Sequence, residues 1–287
     1  MAVTYEDFRT LRLEKPEPRI GLLTFDRPEK RNSISPEFSR EMNIVLDRIA
    51  GDEEIRTVVL TGSGSAFCAG MDLKVFYEYR DRMSEFEEPG MGAMDWFTRL
   101  RELPKPTIAA VNGHTYGGGF LVVANCDMAV AAQDAKFGLS EINWGGPPGG
   151  GATRAALDTV SIKAANYLLY TGNTIDGREA ERIGFVNKAV PAEALLEEAM
   201  VIARAVAPHH PTALKWLKRQ IHGSLTIPDY YRGIEYEGMV LSQMEVADAY
   251  TGHHEGWKQF AEKTYKPGLE SLDYSDDPSG RSAKGKR

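Results

Sequence analysis

Apolar positions along this chain follow two periods, and the elements they predict fall into an order. Alternating or unbroken apolar runs predict strands at residues 8–14 and 20–25, with 16–19 as the turn of an opening hairpin. Further buried strands are expected at residues 57–61 (TVVLT), 107–111 (TIAAV), 128–132 (MAVAA) and 185–190, the last ended by Pro191. Helical spacing takes over after Ser35-Pro36-Glu37-Phe38, where Ser supplies an N-cap and Pro opens the first turn. Met42, Val45, Leu46 and Ile49 then recur at that spacing until Gly51-Asp52. Residues 96–103, 152–160, 162–170 and 176–183 read as helices, with Pro104 and Gly172 as stops. From Ala192 the pattern is helical throughout, over 195–207, 212–222, 230–250 and 255–263. Strands and helices therefore alternate over an α/β core at 1–190, and a helical region follows at 191–274. Residues 275–287 are rich in Ser, Gly, Asp and Lys and nearly free of apolar side chains, so they are expected to form a disordered tail. No internal repeat of 20 to 50 residues aligns along the chain.

At 287 residues and 42% hydrophobic composition, the chain is long enough to bury a sizeable core. The net charge of −7, with an isoelectric point near 5.5, argues against a broad basic surface for nucleic acid, while leaving room for a small basic pocket. Cys68 and Cys126 lie in apolar surroundings without metal-ligand spacing, which suits reduced thiols in a cytoplasmic protein and gives no support for a metal site. The first residues lack a basic patch followed by an apolar core, and no run approaches the ~20 apolar residues of a membrane span. A soluble protein without a membrane or nucleic-acid partner is expected.

Candidate chemistry gathers in residues 107–150. The strand at 107–111 ends at Asn112-Gly113, a turn dipeptide, and Gly117-Gly118-Gly119 then leads into an apolar helix. An earlier strand, 57–61, likewise exits into a glycine-bearing segment, from Gly62 through Ala69-Gly70-Met71-Asp72-Leu73. Either exit alone is equally well an ordinary tight turn. Together they would aim two backbone N–H groups at one point, which holds an oxyanion without any charged side chain. Downstream, Glu141 is a single carboxylate among apolar and glycine neighbours, where loss of water raises a carboxyl pKa and suits it to moving protons. Arg27, Lys30 and Arg31 in the loop at 26–33 are candidates for meeting phosphates, or simply a solvated charged loop. Residues 73–88, rich in Tyr, Phe, Met and charge, read either as the wall of a substrate mouth or as a surface helix. His114, beside the glycine triplet, is either structural or a hydrogen-bonding group in the site.

These residues resemble the crotonase (enoyl-CoA hydratase/isomerase) superfamily through Ala69-Gly70-Met71-Asp72-Leu73, Asn112-Gly113 with Gly117-Gly118-Gly119, and Phe137-Gly138 with Glu141, Gly145 and Pro148-Gly149. The likeness runs from Arg27-Pro28 to Lys266-Pro267. Within the superfamily the chain is most similar to the hydroxycinnamoyl-CoA (feruloyl-CoA) hydratase-lyases, also through Lys258-Gln259-Phe260 and Lys266-Pro267-Gly268-Leu269. The resemblance implies a crotonase-like ββα spiral core with a C-terminal helical oligomerisation region, in a homotrimer or hexamer. It also implies an acyl-CoA substrate, with no cofactor beyond that substrate's coenzyme A moiety.

Carried over residue by residue, the resemblance makes the N–H groups of Met71 and Gly118 the oxyanion donors and Glu141 the acid/base. Ala69, Asp72 and Leu73 match positions that contact the adenine and pantetheine of coenzyme A. Lys30 matches a phosphate contact, and Lys263, after Phe260, matches a basic position that reaches a neighbour's coenzyme. Simple hydratases of the family carry a second glutamate where this chain has Leu121, and the hydratase-lyases carry a small polar residue there, so Leu121 departs from both. Those lyases also grip a phenol oxygen with tyrosines; the first such position is Phe76 here, and Tyr236 is the nearest candidate for the second, weighed against a packing role. Trp144 and Asn143 are expected to shape the surroundings of Glu141. Hydration of an aryl or otherwise bulky enoyl-CoA, with carbon–carbon cleavage to an aldehyde and acetyl-CoA, is the leading expectation. Enoyl-CoA isomerisation through one glutamate and a non-catalytic acyl-CoA-binding role are the alternatives.

Overall fold

The computed structural model describes residues 8–75, 95–248, 257–258 and 260–262. The expectations placed on Phe76, on most of 73–88, on Lys263 and on the 275–287 tail lie outside the described residues.

Strands β1 (Leu11–Glu17) and β2 (Arg19–Phe25) form the antiparallel opening hairpin. The strand runs through Pro16 and Glu17, where sequence predicted a turn. The reason is position: β1 lies at the edge of its sheet, so a proline without an N–H removes no ladder bond there. Reversal is confined to Pro18 and Arg19, the latter left-handed with φ 68°.

From β2 the sheet continues in parallel through β3 (Ile55–Gly62), β5 (Thr107–Val111), β7 (Met128–Ala132) and β10 (Lys188–Val190), in the order β1-β2-β3-β5-β7-β10. Strand β10 is shorter than the predicted 185–190, because Phe185 leaves the ladder to stack on Phe120 with centroids 4.0 Å apart.

A second sheet holds the short strands β4 (Ala66–Cys68), β6 (His114–Tyr116), β8 (Lys136–Gly138) and β9 (Ile175–Asp176) in the order β4-β6-β8-β9, the first three parallel. Each long strand β3, β5 and β7 crosses a brief connection into β4, β6 and β8 respectively. The crossings are packed backbone to backbone: a β-carbon on Gly113 would overlap the Ser65 carbonyl, and one on Gly62 the Ala66 carbonyl.

Helix α1 (Pro36–Gly51) starts where predicted, with Ser35 Oγ accepting from the Phe38 N–H at 3.2 Å, a cap worth ~1 kcal/mol. It buries Phe38, Met42, Val45, Leu46 and Ile49. Phe38 meets Phe25 edge-on at 5.2 Å and Phe25 lies 5.2 Å from Phe67, each pair adding about 0.5–1.5 kcal/mol beyond burial. Helix α2 (Asp95–Glu102) ties to α1 through Arg99, which donates to Asn43 Oδ1 at 2.7 Å and pairs with Asp47. Helix α3 (Gly118–Asn125) is buried from Gly119 onward. Helix α4 (Ala152–Thr159) and α5 (Ile162–Thr171) follow, the latter closed by left-handed Gly172 at φ 60°. Helix α6 (Gly177–Arg182) is capped by Asp176, whose Oδ1 accepts from the Glu179 N–H at 2.9 Å.

The chain forms two compact units, residues 1–103 with 107–203, and residues 104–106 with 204–287. Both sheets and α1 to α6 belong to the first, as does most of α7 (Leu195–Val206). The second holds α8 (Pro211–Ser224) and α9 (Tyr230–Asp248), joined by the Tyr236 hydroxyl donating to the Arg219 carbonyl at 3.1 Å. No helix among the described residues is long and apolar enough to cross a membrane.

Candidate active site

Because β4, β6 and β8 are parallel neighbours, their carboxyl ends lie along one edge of the small sheet, the side on which open α/β sheets place ligands. Their exits are Ala69-Gly70-Met71-Asp72 after β4, Gly117-Gly118 after β6, and Leu139-Ser140-Glu141 after β8. The first two are in contact: a β-carbon on Gly70 would sit 2.6 Å from the Tyr116 carbonyl oxygen and 3.4 Å from the Gly118 nitrogen. The third reaches them as well, since a β-carbon on Gly117 would lie 2.8 Å from Glu141 Oε1. Residues far apart in the chain, from Gly70 to Glu141, thus meet at one edge.

Backbone geometry leaves two N–H groups open there. Met71 forms a parallel bridge with Ile34, in which the Ile34 N–H donates to the Gly70 carbonyl at 2.8 Å and the Asp72 N–H donates to the Ile34 carbonyl at 2.9 Å. In such a bridge the flanking groups are consumed and the bridged residue's own N–H points to the opposite side. Gly118 is the first residue of α3, so its N–H has no acceptor one turn back. Among the described residues neither N–H donates to a protein acceptor. Gly117, with φ 50° and ψ −112°, makes the sharp entry to α3 that an L side chain would oppose.

Glu141 begins a single 3-10 turn, Glu141–Trp144. Its Oε2 is buried without a hydrogen-bond partner among the described residues. Burial raises the carboxyl pKa above its ordinary value of 4.5, and the residue's own backbone N–H lowers it to a smaller extent. The sequence expected this direction and this cause. Leu121 is buried on α3 with its N–H on the Gly117 carbonyl at 3.1 Å, so an apolar side chain stands one helical turn from the glycine entry.

Sequence reasoning missed the side chains that hold the first exit in place. Asn32, fully buried, accepts from the Arg27 N–H at 2.8 Å and donates through Nδ2 to the carbonyls of Ser63 at 3.0 Å and Ala66 at 2.7 Å. Asn112 accepts from the Gly62 N–H at 3.1 Å and donates to the carbonyls of Gly64 at 3.0 Å and Ala66 at 3.3 Å. The connection between β3 and β4 is therefore clamped from both sides. In the sequence Asn112 reads as half of a turn dipeptide and as part of the family resemblance, with no sign of this clamping role. The signal for Asn32 lay in Arg31 and Asn32 being left-handed, at φ 51° and 55°, which periodicity does not reveal.

Other expected residues take varied positions. Asp72 and Arg27 form an ion pair at 3.6 Å, and Arg27 also donates to the Ser33 carbonyl at 2.8 Å; this sets Arg27 apart from the free phosphate ligand considered from sequence. Lys30, Arg31 and Leu73 are exposed and Ala69 is half-buried, its N–H on the Arg31 carbonyl at 3.0 Å. The turn carries Trp144 outward, 65% exposed, and Asn143 Nδ2 donates to the Gly172 carbonyl at 3.4 Å instead of to the carboxylate. His114 opens β6, at the end away from the site, and lies over Tyr116 at 6.0 Å. The Tyr236 hydroxyl is occupied by Arg219, the packing role weighed earlier, and Phe260 is exposed against Trp257. Neither Cys68 nor Cys126 is in a disulfide; burial pushes the Cys68 thiol up to about 12, which keeps it protonated and unreactive.

Known proteins are similar to this chain over much of its length. The family profile described as Enoyl-CoA hydratase/isomerase matches residues 16–269. A hydroxycinnamoyl-CoA hydratase-lyase of Pseudomonas fluorescens is 39% identical over 275 residues, covering 93% of this chain and 98% of that protein. A short-chain-enoyl-CoA hydratase of Clostridium acetobutylicum is 36% identical over 213 residues, 73% of this chain and 80% of that one. The solved enoyl-CoA hydratase of Bacillus anthracis superposes with a TM-score of 0.81 at 30% identity, covering 89% of this chain and 97% of the other. The chain belongs to the enoyl-CoA hydratase/isomerase family, the crotonase superfamily, and is an enzyme of enoyl-CoA hydratase type.

Proposed function

We propose that this enzyme hydrates a bulky, aryl-substituted enoyl-CoA and then cleaves the hydrated product to an aldehyde and acetyl-CoA. The observation that carries the reading is one half-buried carboxylate, Glu141, whose Oε2 is buried without a partner among the described residues, beside two unpaired N–H groups, with Leu121 at the place of any second carboxylate. The 39% identity with a hydroxycinnamoyl-CoA hydratase-lyase supports the aryl substrate and the cleavage step.

In the hydration step the Glu141 carboxylate takes a proton from water as the water oxygen bonds to the β-carbon. The alkene electron pair moves to the α-carbon and thioester oxygen, and the resulting enolate is held by the N–H groups of Met71 and Gly118. Each such donor is worth roughly 3–4 kcal/mol in a water-excluded site. Glu141 then returns the proton to the α-carbon. In cleavage the carboxylate removes the β-hydroxyl proton, the bond between the α- and β-carbons breaks, the aldehyde leaves, and the acetyl-CoA enolate is protonated at carbon. The chemistry requires no group beyond the protein and the coenzyme A moiety, for which Lys30, Ala69, Asp72 and Leu73 are the proposed contacts. The active form is proposed to be a homotrimer or hexamer.

A second reading is isomerisation, favoured by Leu121: an apolar side chain there cannot orient water, and one carboxylate suffices to carry a proton between two carbons. Incubation with 2-enoyl, 3-enoyl and 4-hydroxycinnamoyl thioesters, with products identified by mass spectrometry, separates the two. Aldehyde and acetyl-CoA from the aryl thioester are the expected products, with Glu141→Gln lowering their formation by roughly 10² or more at little change in coenzyme A affinity. Exclusive interconversion of 2- and 3-enoyl thioesters would assign the isomerase reading instead.

A further inference from the structure

Ile34 touches both halves of the proposed oxyanion site. Its backbone grips the residues on either side of Met71, through the Gly70 carbonyl at 2.8 Å and the Asp72 N–H at 2.9 Å, and so directs the Met71 N–H away from itself. Its side chain reaches the other donor: a β-carbon on Gly118 would come 2.8 Å from Ile34 Cδ1, with Phe97 Cζ 3.6 Å away behind it. Ile34 is 1% exposed, and its own place is fixed by buried Asn32 before it and by the Ser35 cap of α1 after it.

We propose that Ile34 is a positioning residue that sets the separation and aim of the two N–H donors. The inference rests on the reading of Met71 and Gly118 as holders of the enolate oxygen. Oxyanion donors act by being oriented before the charge develops, so the spacer that keeps them converging matters as much as the donors. A side chain at 118 would occupy the place of the Ile34 δ-methyl; with glycine there, that methyl becomes the stop for the first turn of α3. Ile34→Val deletes the δ-methyl alone and keeps every backbone hydrogen bond, which loosens Gly118 without releasing Met71. Ile34→Ala removes more of the same contact, and Ile34→Leu keeps the carbon count while redirecting it.

The test uses cinnamoyl-CoA, whose conjugated thioester absorbs at longer wavelength when donors pull electron density toward its carbonyl oxygen. In the Glu141→Gln protein, which leaves the ligand intact, binding is expected to produce a red shift. Adding Ile34→Val should reduce that shift by at least half, and Ile34→Ala further, while the Kd of free coenzyme A stays within about twofold. With Glu141 present, kcat should fall by at least ~10-fold in Ile34→Val, with KM little changed and partial recovery in Ile34→Leu. An undiminished shift in folded Ile34→Val would overturn the proposal, as would a parallel loss of shift and coenzyme A affinity. Absence of any red shift with Ile34 intact would instead overturn the two-donor reading, and this proposal with it.

Discussion

Burial disfavours ionisation of Glu141, and the burial that suits it to proton transfer should also appear in the stability of the fold. Its folded pKa lies above the ordinary 4.5 because of desolvation. Between those two values this group binds more proton in the folded chain than in the unfolded one, so its contribution to stability is greatest below the ordinary value and is lost as pH rises through the raised one. Glutamine cannot ionise and is free of this loss. Glu141→Gln is therefore expected to melt at a higher temperature than wild type at about pH 7–8 and at nearly the same temperature at about pH 4, as followed by calorimetry. An equal difference at both pH values would show that Glu141 is not desolvated in solution. Glu141 was legible because it stands alone in an apolar and glycine-rich stretch. Asn32 and Ile34 were not, because they sit in Arg31-Asn32-Ser33-Ile34, a segment whose polar character reads as solvated loop. Only tertiary contacts with residues 63–72 turn that segment inward.

Among the elements, the long strands and most helices were legible because they bury enough residues to show a period. Strands β4, β6 and β8 were not: three residues are too few for alternation to register, and all three gain their pairing from one another across the crossings. These unseen strands place the site, since their carboxyl ends bring Met71, Gly118 and Glu141 together. The ββα unit repeats in space while its sequence does not, which is why no period appeared along the chain. The start of α3 gives a test at adjacent glycines. Gly118 occupies the first helical position, where a missing N–H breaks no helix bond, but a β-carbon there would come 2.8 Å from Ile34 Cδ1. Gly118→Pro should therefore lower the melting temperature somewhat as that methyl gives way and, in the folded protein, lower turnover by at least ~10² through loss of an oxyanion donor. At Gly119 a β-carbon would overlap the Cys68 carbonyl, so Gly119→Ala is expected to destabilise the fold by about 1–3 kcal/mol. Normal turnover in folded Gly118→Pro would reduce that glycine to a turn residue.

For the whole molecule, the question is what covers the helices of the second unit. Helix α9 has Ile234, Met239, Leu241 and Val246 each about half exposed or more, and Val240 is its one buried apolar residue among those described. Helix α8 adds Leu217 and Ile221, and Leu225 follows at its C-cap, all about half exposed. An isolated helix of this length is marginal in water and owes its persistence to a packed face, which α9 has along α8. Burying the seven side chains on a neighbouring copy would contribute roughly 10 kcal/mol, comparable to the whole stability of a domain. Apolar surface on that scale marks a protein–protein contact, and we propose that the partner is another copy of this chain. Light scattering at micromolar concentration is expected to give the mass of a trimer or hexamer. Leu241→Asp places a charge in the middle of that surface and should shift the population toward smaller species, while circular dichroism from the two sheets persists because none of their strands contains α9 residues. A wild-type chain that stayed monomeric under these conditions would mean that α9 is covered by something other than its own copies.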